Sequence, residues 1–201
     1  MTGAREGAPG EFAQGNRAPR ASVPRTLDRA RTALVVIDVQ EAFAKAVQRF
    51  DDVAEATAIL VRGARVLGLP VIVTEQYPRG LGDTVEPVRE ALGDGAARLP
   101  KTVFSAARAD GFDLQGRDQA LVCGIETHVC VSQTAHDLLG RGIEVHVATD
   151  AVSSRSSANR DLGLRKMEES GAILTSVETA LFELLGAAGS DEFKAIQKLV
   201  M

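Results

Sequence analysis

A cysteine on the first turn after a buried strand occupies a nucleophile's position, and Cys130 stands in such a place. The run Ala120-Leu-Val-Cys123 is short and wholly apolar, the pattern of a strand buried in a parallel sheet. Gly124 breaks it, and Thr127 is suited to cap a helix. Val131, Ala135, Leu138 and Leu139 then form the stripe of a helix packed on that sheet. Cys130 lies about 100° round the helix from Val131, off the stripe. A thiol there meets unpaired N–H groups and the positive end of the helix dipole, both of which favour thiolate. A buried cysteine is equally often an inert small hydrophobe, so the segment alone leaves both readings open.

Two other residues could serve that thiol. Asp38 closes the apolar run Thr32-Ala-Leu-Val-Val-Ile37, where a carboxylate is costly unless it is paired or solvated in a cleft. It is either a cap for the following turn or a general base whose pKa partial burial raises. Lys101 is either a solvated lysine ahead of a strand or a cation that holds both Cys130 and Asp38 as anions. Histidine is the usual partner of a cysteine nucleophile, and the chain has only His128, His136 and His146. His128 is two residues from Cys130 and points elsewhere round the turn; His136 is out of reach; His146 alternates within a strand. None makes a dyad. There is no H-E-x-x-H or paired C-x-x-C pattern, so no metal is expected. Gly63 and Gly68 do not make a dinucleotide loop, so no cofactor is expected either.

The elements that must position these groups alternate along the chain. Asp51 and Asp52 open a helix whose inner face is Val53, Ala56, Leu60, Ala64 and Leu67, with Gly68 as its stop. Pro70–Thr74 is the next strand. From Glu75 to Leu99 the chain is glycine- and proline-punctuated loop, with one short helix near Val85–Leu92. Lys101–Ser105 and Glu144–Ala148 are strand candidates, followed by a helix at Asn159–Ser170. Ala172–Thr175 is the last strand, and Ser176 caps a helix running to Leu185. Asp191–Val200 is an amphipathic tail suited to a neighbouring subunit. Such alternation predicts an α/β fold, a three-layer α/β/α sandwich on a mainly parallel, doubly wound sheet. Ligands in such sheets bind at the carboxyl ends of the strands, where Asp38 and the Cys130 turn both fall.

The chain's 201 residues suit one domain, and 45% hydrophobic with 25% charged residues is ordinary for a soluble protein. A net charge of −4 argues against nucleic acid or an anionic membrane as partner. No apolar run approaches the roughly 20 residues that span a bilayer. Two cysteines are too few for a disulfide framework, which points to a reducing, cytoplasmic setting. Residues 1–31 are expected to be a flexible N-terminal extension and 32–201 the folded domain. The first 29 residues hold five arginines but no apolar stretch of a secretory signal, and Glu6, Glu11 and three prolines argue against a transit peptide.

Three stretches taken together resemble the isochorismatase-like cysteine hydrolases: Val36-Ile-Asp38-Val-Gln40-x-x-Phe43, Lys101-Thr-Val-Phe-Ser-Ala106 and Gly124-Ile-Glu-Thr-His-Val-Cys130-Val131. Thr74-Glu-Gln-Tyr-Pro78 and Val145–Arg155 are similar to its isochorismatase-domain-containing and YcaC-type branch. The resemblance runs from about Thr32 to the C-terminus. It implies an Asp38–Lys101–Cys130 triad in which Asp38 deprotonates Cys130, Lys101 stabilises the charges, and a thioester forms on a small amide substrate. It also implies a cis peptide at Ile125–Glu126 and an oxyanion hole from the N–H groups of Glu126 and Cys130. The expected pocket lining is Phe43, Gln76, Tyr77 and Ile125, and the expected assembly is a homo-oligomer, dimer or larger. Departures from the family pattern matter as well. Glu75-Gln-Tyr-Pro-Arg79 lacks the histidine of the nicotinamidase metal cluster, and isochorismatases proper lack the nucleophilic cysteine, so amide or ester cleavage is expected over vinyl-ether cleavage. Ala107 and Arg108 stand where an aromatic often follows the Ser-Ala pair. A rival reading keeps the fold and a redox-responsive thiol, as an interaction protein without efficient hydrolysis. A further rival makes the domain a purely structural oligomer block with a buried, unreactive Cys130.

Overall fold

The computed structural model describes residues 26–201, so the reading of residues 1–25 as extension lies outside the described residues. Within them the folded body starts earlier than Thr32. Leu27 is buried in the core, its N–H donates to Glu183 at 3.0 Å, and Asp28 N–H donates to the Gln119 side chain at 2.8 Å.

Six strands form one sheet: β1 (Thr32–Ile37), β2 (Val71–Gln76), β3 (Leu99–Lys101), β4 (Gln119–Ile125), β5 (Glu144–Ser153) and β6 (Ile173–Thr175). Their spatial order is β3-β2-β1-β4-β5-β6, and every neighbouring pair is parallel. β1 and β4 lie at the centre and are buried throughout, which is why the runs Ala33–Ile37 and Ala120–Cys123 within them are apolar. The helices are α1 (Phe50–Val66), α2 (Pro78–Leu81), α3 (Glu86–Leu92), α4 (Ser132–Gly140), α5 (Ser157–Glu169), α6 (Val177–Leu185) and α7 (Asp191–Val200). One core, holding Leu34, Val36, Cys123 and Ile125 from the strands, joins α1, α3, α6 and α7 to one face. The other, holding Val35, Ile37, Val122 and Cys130, joins α4 and α5 to the opposite face. The three-layer α/β/α sandwich is therefore as expected.

Several elements differ from the sequence expectation. The strand at Lys101–Ser105 ends at Lys101, because the chain beyond it curls around that residue's own ammonium group. β5 continues past Ala148 to Ser153, and Asp150 within it accepts Val177 N–H, anchoring the start of α6. The tail α7 packs on its own chain: Ile196 is fully buried, and the Phe193 ring lies 6.4 Å from that of Phe182. The Ser176 cap is as expected, its hydroxyl accepting Thr179 N–H.

Gly124 lets β1 and β4 end side by side. It pairs with Ile37, has φ of +118°, and a Cβ there would sit 2.0 Å from the Ile37 carbonyl oxygen. Backbone cannot yield as a flexible side chain would, and the left-handed conformation adds its own cost. Gly124→Ala is expected to lose roughly 2–6 kcal/mol of stability, read as a lower urea midpoint. An unchanged midpoint would show that the two strand ends are free to separate.

Candidate active site

In a sheet of this order the chain leaves β1 and β4 toward opposite faces, which opens a crevice at their carboxyl ends. Asp38 immediately follows β1, Gln76 ends β2, Lys101 ends β3, and the turn carrying Cys130 follows β4. Four strand ends thus deliver four polar side chains to one edge of the sheet.

Asp38 and Lys101 form a wholly buried ion pair, Lys101 Nζ to Asp38 Oδ2 at 2.6 Å, with neither side chain exposed. Asp38 adopts φ of +53°, a conformation aspartate tolerates better than most residues, and this swings its carboxylate off the end of the strand. Its other oxygen accepts the Thr74 hydroxyl at 2.7 Å. The ammonium also donates to Gln76 Oε1 at 2.6 Å and to the carbonyls of Phe104 and Val103 at 2.9 and 3.2 Å. Gln40, fully buried, holds this corner together. Its amide donates to the Gln76 and Gly82 carbonyls and accepts Gln76 N–H. A charge buried this deeply is tolerated because each of its hydrogen-bonding positions has a partner.

The Ile125–Glu126 peptide is cis, as expected. Thr127–Val131 then makes one wide π-helical turn before α4 begins. Thr127 does not cap it, since its buried hydroxyl has no partner. The Glu126 carboxylate accepts from both Arg155 N–H and the Arg155 guanidinium, at 3.0 Å each. Gly163 of α5 lies against this turn so closely that a Cβ would come within 2.9 Å of His128 Cα and the Thr127 carbonyl. Cys130 is 6% exposed, at the edge of the α4-side core.

Its electrostatics reverse the sequence expectation. Burial first, and then the negative charge of Asp38, push the Cys130 thiol up to about 12, with Lys101 opposing. Burial likewise raises the Asp38 carboxyl, against the pull of Lys101, Thr74 and Cys130. The resting thiol is therefore protonated. The favourable turn position is outweighed by loss of solvent and by a neighbouring carboxylate.

The expected pocket lining is only partly brought together. Gln76 is committed to Lys101, and its Nε2 donates to the Thr102 carbonyl. Tyr77 is half-exposed and borders a hollow of about 550 Å³ shared with Arg79, Lys101 and Val103. Phe43 packs partly buried against the α1-side core. Ile125 is fully buried in that same core, on the face opposite Cys130, so its side chain lines no pocket. Glu75 accepts both the N–H and the hydroxyl of Thr84. Sequence alone assigns no role to Gln40, Thr74 or Thr134. Gln40 and Thr74 do stand within the family-like stretches, Gln40 two residues after Asp38 and Thr74 at the head of Thr74–Pro78, whereas Thr134 carries no such signal.

A family model for the isochorismatase domain matches residues 32–179. The chain belongs to the isochorismatase family. Isochorismatase domain-containing protein 1 of Salmo salar is 42% identical over 175 residues, and the match covers 85% of this chain but 61% of that protein. Among solved structures, the MAR1 ribonuclease of Caenorhabditis elegans is 40% identical with a TM-score of 0.81, covering 87% of this chain and 92% of that one. The YcaC protein of Pseudomonas aeruginosa, solved with hexane-2,5-diol and covalent acrylamide, is 25% identical with a TM-score of 0.79, covering 89% and 93%. Isochorismatase-family membership thus rests on most of the described fold. No helix of the described residues is long and apolar enough to cross a membrane.

The charge on Asp38 gives a direct test of the geometry. In Asp38→Asn the second cause of the raised Cys130 pKa disappears, so the thiol is expected to titrate below its present value of about 12. Alkylation by iodoacetamide against pH, read by peptide mass, should show the Cys130 midpoint moving down. Cys123, pushed up to about 12 by its own burial, is untouched by Asp38 and serves as the control. An unmoved Cys130 midpoint would mean that the carboxylate does not act on the thiol.

Proposed function

We propose that this isochorismatase-family chain is a cofactor-independent cysteine hydrolase that cleaves the C–N bond of a small, uncharged amide. The observation that carries the reading is the buried Asp38–Lys101 pair acting on the Cys130 thiol from one strand end to another. With the thiol protonated at rest, attack and proton transfer must be coupled. The Cys130 proton passes to Asp38 as sulfur bonds to the carbonyl carbon. The resulting oxyanion is received by the N–H groups of Glu126 and Cys130. Collapse expels the amine, which takes the proton back from Asp38, and leaves a thioester. Water, deprotonated by Asp38, then attacks the thioester; the thiol leaves with that proton, and a carboxylic acid is released. Lys101 keeps Asp38 anionic between steps without itself giving up a proton.

Charge balance supports an uncharged substrate. Asp38 is paired with Lys101, and Glu126 with Arg155, so the charges next to Cys130 are matched within the site, while the exposed Arg79 borders the neighbouring hollow. The covalent acrylamide held by the YcaC relative fits this class, being a small uncharged amide that reacts with thiols.

A second reading is favoured by one observation, the ribonuclease name of the nematode relative. Phosphodiester chemistry would call for cationic groups facing a polyanion, whereas Lys101 is closed off by four acceptors and the whole chain carries −4.

An amide panel scored by ammonia or amine release, with an RNA arm beside it, separates the two. Turnover of an amide is expected. Cys130→Ala should abolish it, and Asp38→Asn should lower kcat by about 10²–10⁴-fold, the usual contribution of a general base. Acrylamide should label Cys130 and not Cys123. Amide turnover that persists in Cys130→Ala would sink the covalent mechanism, and cleavage of RNA with no amide turnover would favour the rival.

A further inference from the structure

The i−4 bond from a threonine hydroxyl to a helix carbonyl is ordinary, but Thr134 does more with its hydroxyl. Its Oγ1 donates to the Cys130 carbonyl at 2.6 Å and at the same time accepts Ala106 N–H at 2.8 Å, across 28 residues of chain. The side chain is fully buried, so no water competes for either bond. Ala106 lies two residues after Phe104, whose carbonyl, with that of Val103, closes around the Lys101 ammonium. A continuous path therefore runs from Asp38 through Lys101, the Phe104–Ala106 backbone and the Thr134 hydroxyl to the backbone of Cys130. The other ties between this segment and α4, Arg108 to Asp137 and Arg141 to the Ala107 carbonyl, end further along the helix and do not reach the nucleophile.

We propose that Thr134 is a positioning residue, a buried latch that locks the loop caging Lys101 to the turn carrying Cys130 and so holds the thiol against Asp38. The role rests on the reading of Cys130 as nucleophile. A hydroxyl suits the position because one O–H donor and a lone pair must both be used in opposite directions. Serine can do the same. Valine fills the space but leaves Ala106 N–H and a lone pair of the Cys130 carbonyl buried without a partner, and the two segments are then free to part.

The test is the coupling between Asp38 and the thiol, not activity alone. Thr134→Val, Thr134→Ala and Thr134→Ser are each combined with Asp38→Asn, and the Cys130 alkylation midpoint is measured against pH in every pair. In the native background and in Thr134→Ser, where a hydroxyl is present, Asp38→Asn is expected to move the midpoint down. In the Thr134→Val and Thr134→Ala backgrounds the same substitution should move it little or not at all. The alanine variant covers the case in which the valine methyl prevents folding. A full Asp38-dependent displacement in both hydroxyl-free backgrounds overturns the latch, even where they lower the melting temperature. A midpoint insensitive to Asp38→Asn with Thr134 intact removes the triad itself and the latch with it, so the two failures are distinct.

Discussion

The buried pair between Lys101 and Asp38 is the constraint around which this edge of the sheet is arranged. Taking both ions out of water costs several kcal/mol each, and their mutual attraction offsets that cost only where the remaining donors and lone pairs also find partners. The surroundings are built accordingly. Thr74 on β2 fills the second Asp38 oxygen, and Gln76 at the end of the same strand takes one ammonium bond. The chain after Lys101 turns its Val103 and Phe104 carbonyls inward to take the rest. Gln40 then fixes Gln76 by bonding its backbone on both sides. Three of the six strands end where they do because the pair must be enclosed.

The same burial governs the thiol. Desolvation that strengthens the ion pair also disfavours a thiolate beside a carboxylate, and Cys130 is pushed up to about 12. A site that stored a preformed thiolate would have needed an exposed cysteine or an unpaired cation. Here the cation is already matched to Asp38, so under the proposed mechanism the nucleophile forms only as the thiol proton moves. Burial of Cys130, which is 6% exposed, and its raised pKa both lower the share of thiolate present at rest.

How much of this can be read from residues follows physical lines. The central strands are legible because a strand buried on both faces is apolar along its length, as in Ala33–Ile37 and Ala120–Cys123. Lys101–Ser105 misleads because Val103 and Phe104 are good strand formers by type, while the ammonium just before them competes for their carbonyls. Thr127 has the residue type of a cap, yet the turn after the cis peptide is π-wide and turns its hydroxyl away from the helix N–H groups. The thiolate expectation fails for a related reason, since local helix position is visible in sequence and burial is not. The pairing of Asp38 with Lys101 spans 63 residues, and no spacing rule predicts it; the motif resemblance suggests it, and the sheet order explains it.

The strand order is that of nucleotide-binding doubly wound sheets, and the contrast at the switch point is instructive. A phosphate there needs a glycine-rich first turn with N–H groups left open to the ligand. In this chain the first turn is Asp38-Val39-Gln40. Asp38 N–H is taken by the Thr74 carbonyl, and Gln40 N–H by the Asp38 carbonyl. A carboxylate occupies the place where an incoming anion would rest, and its one cation is already spent on it. The crevice thus holds a buried ion pair where such sheets present a surface that receives negative charge. Under the proposed mechanism, the pairing of Asp38 with Lys101 disfavours a phosphate at this point and suits an uncharged carbonyl, whose negative charge develops only during reaction.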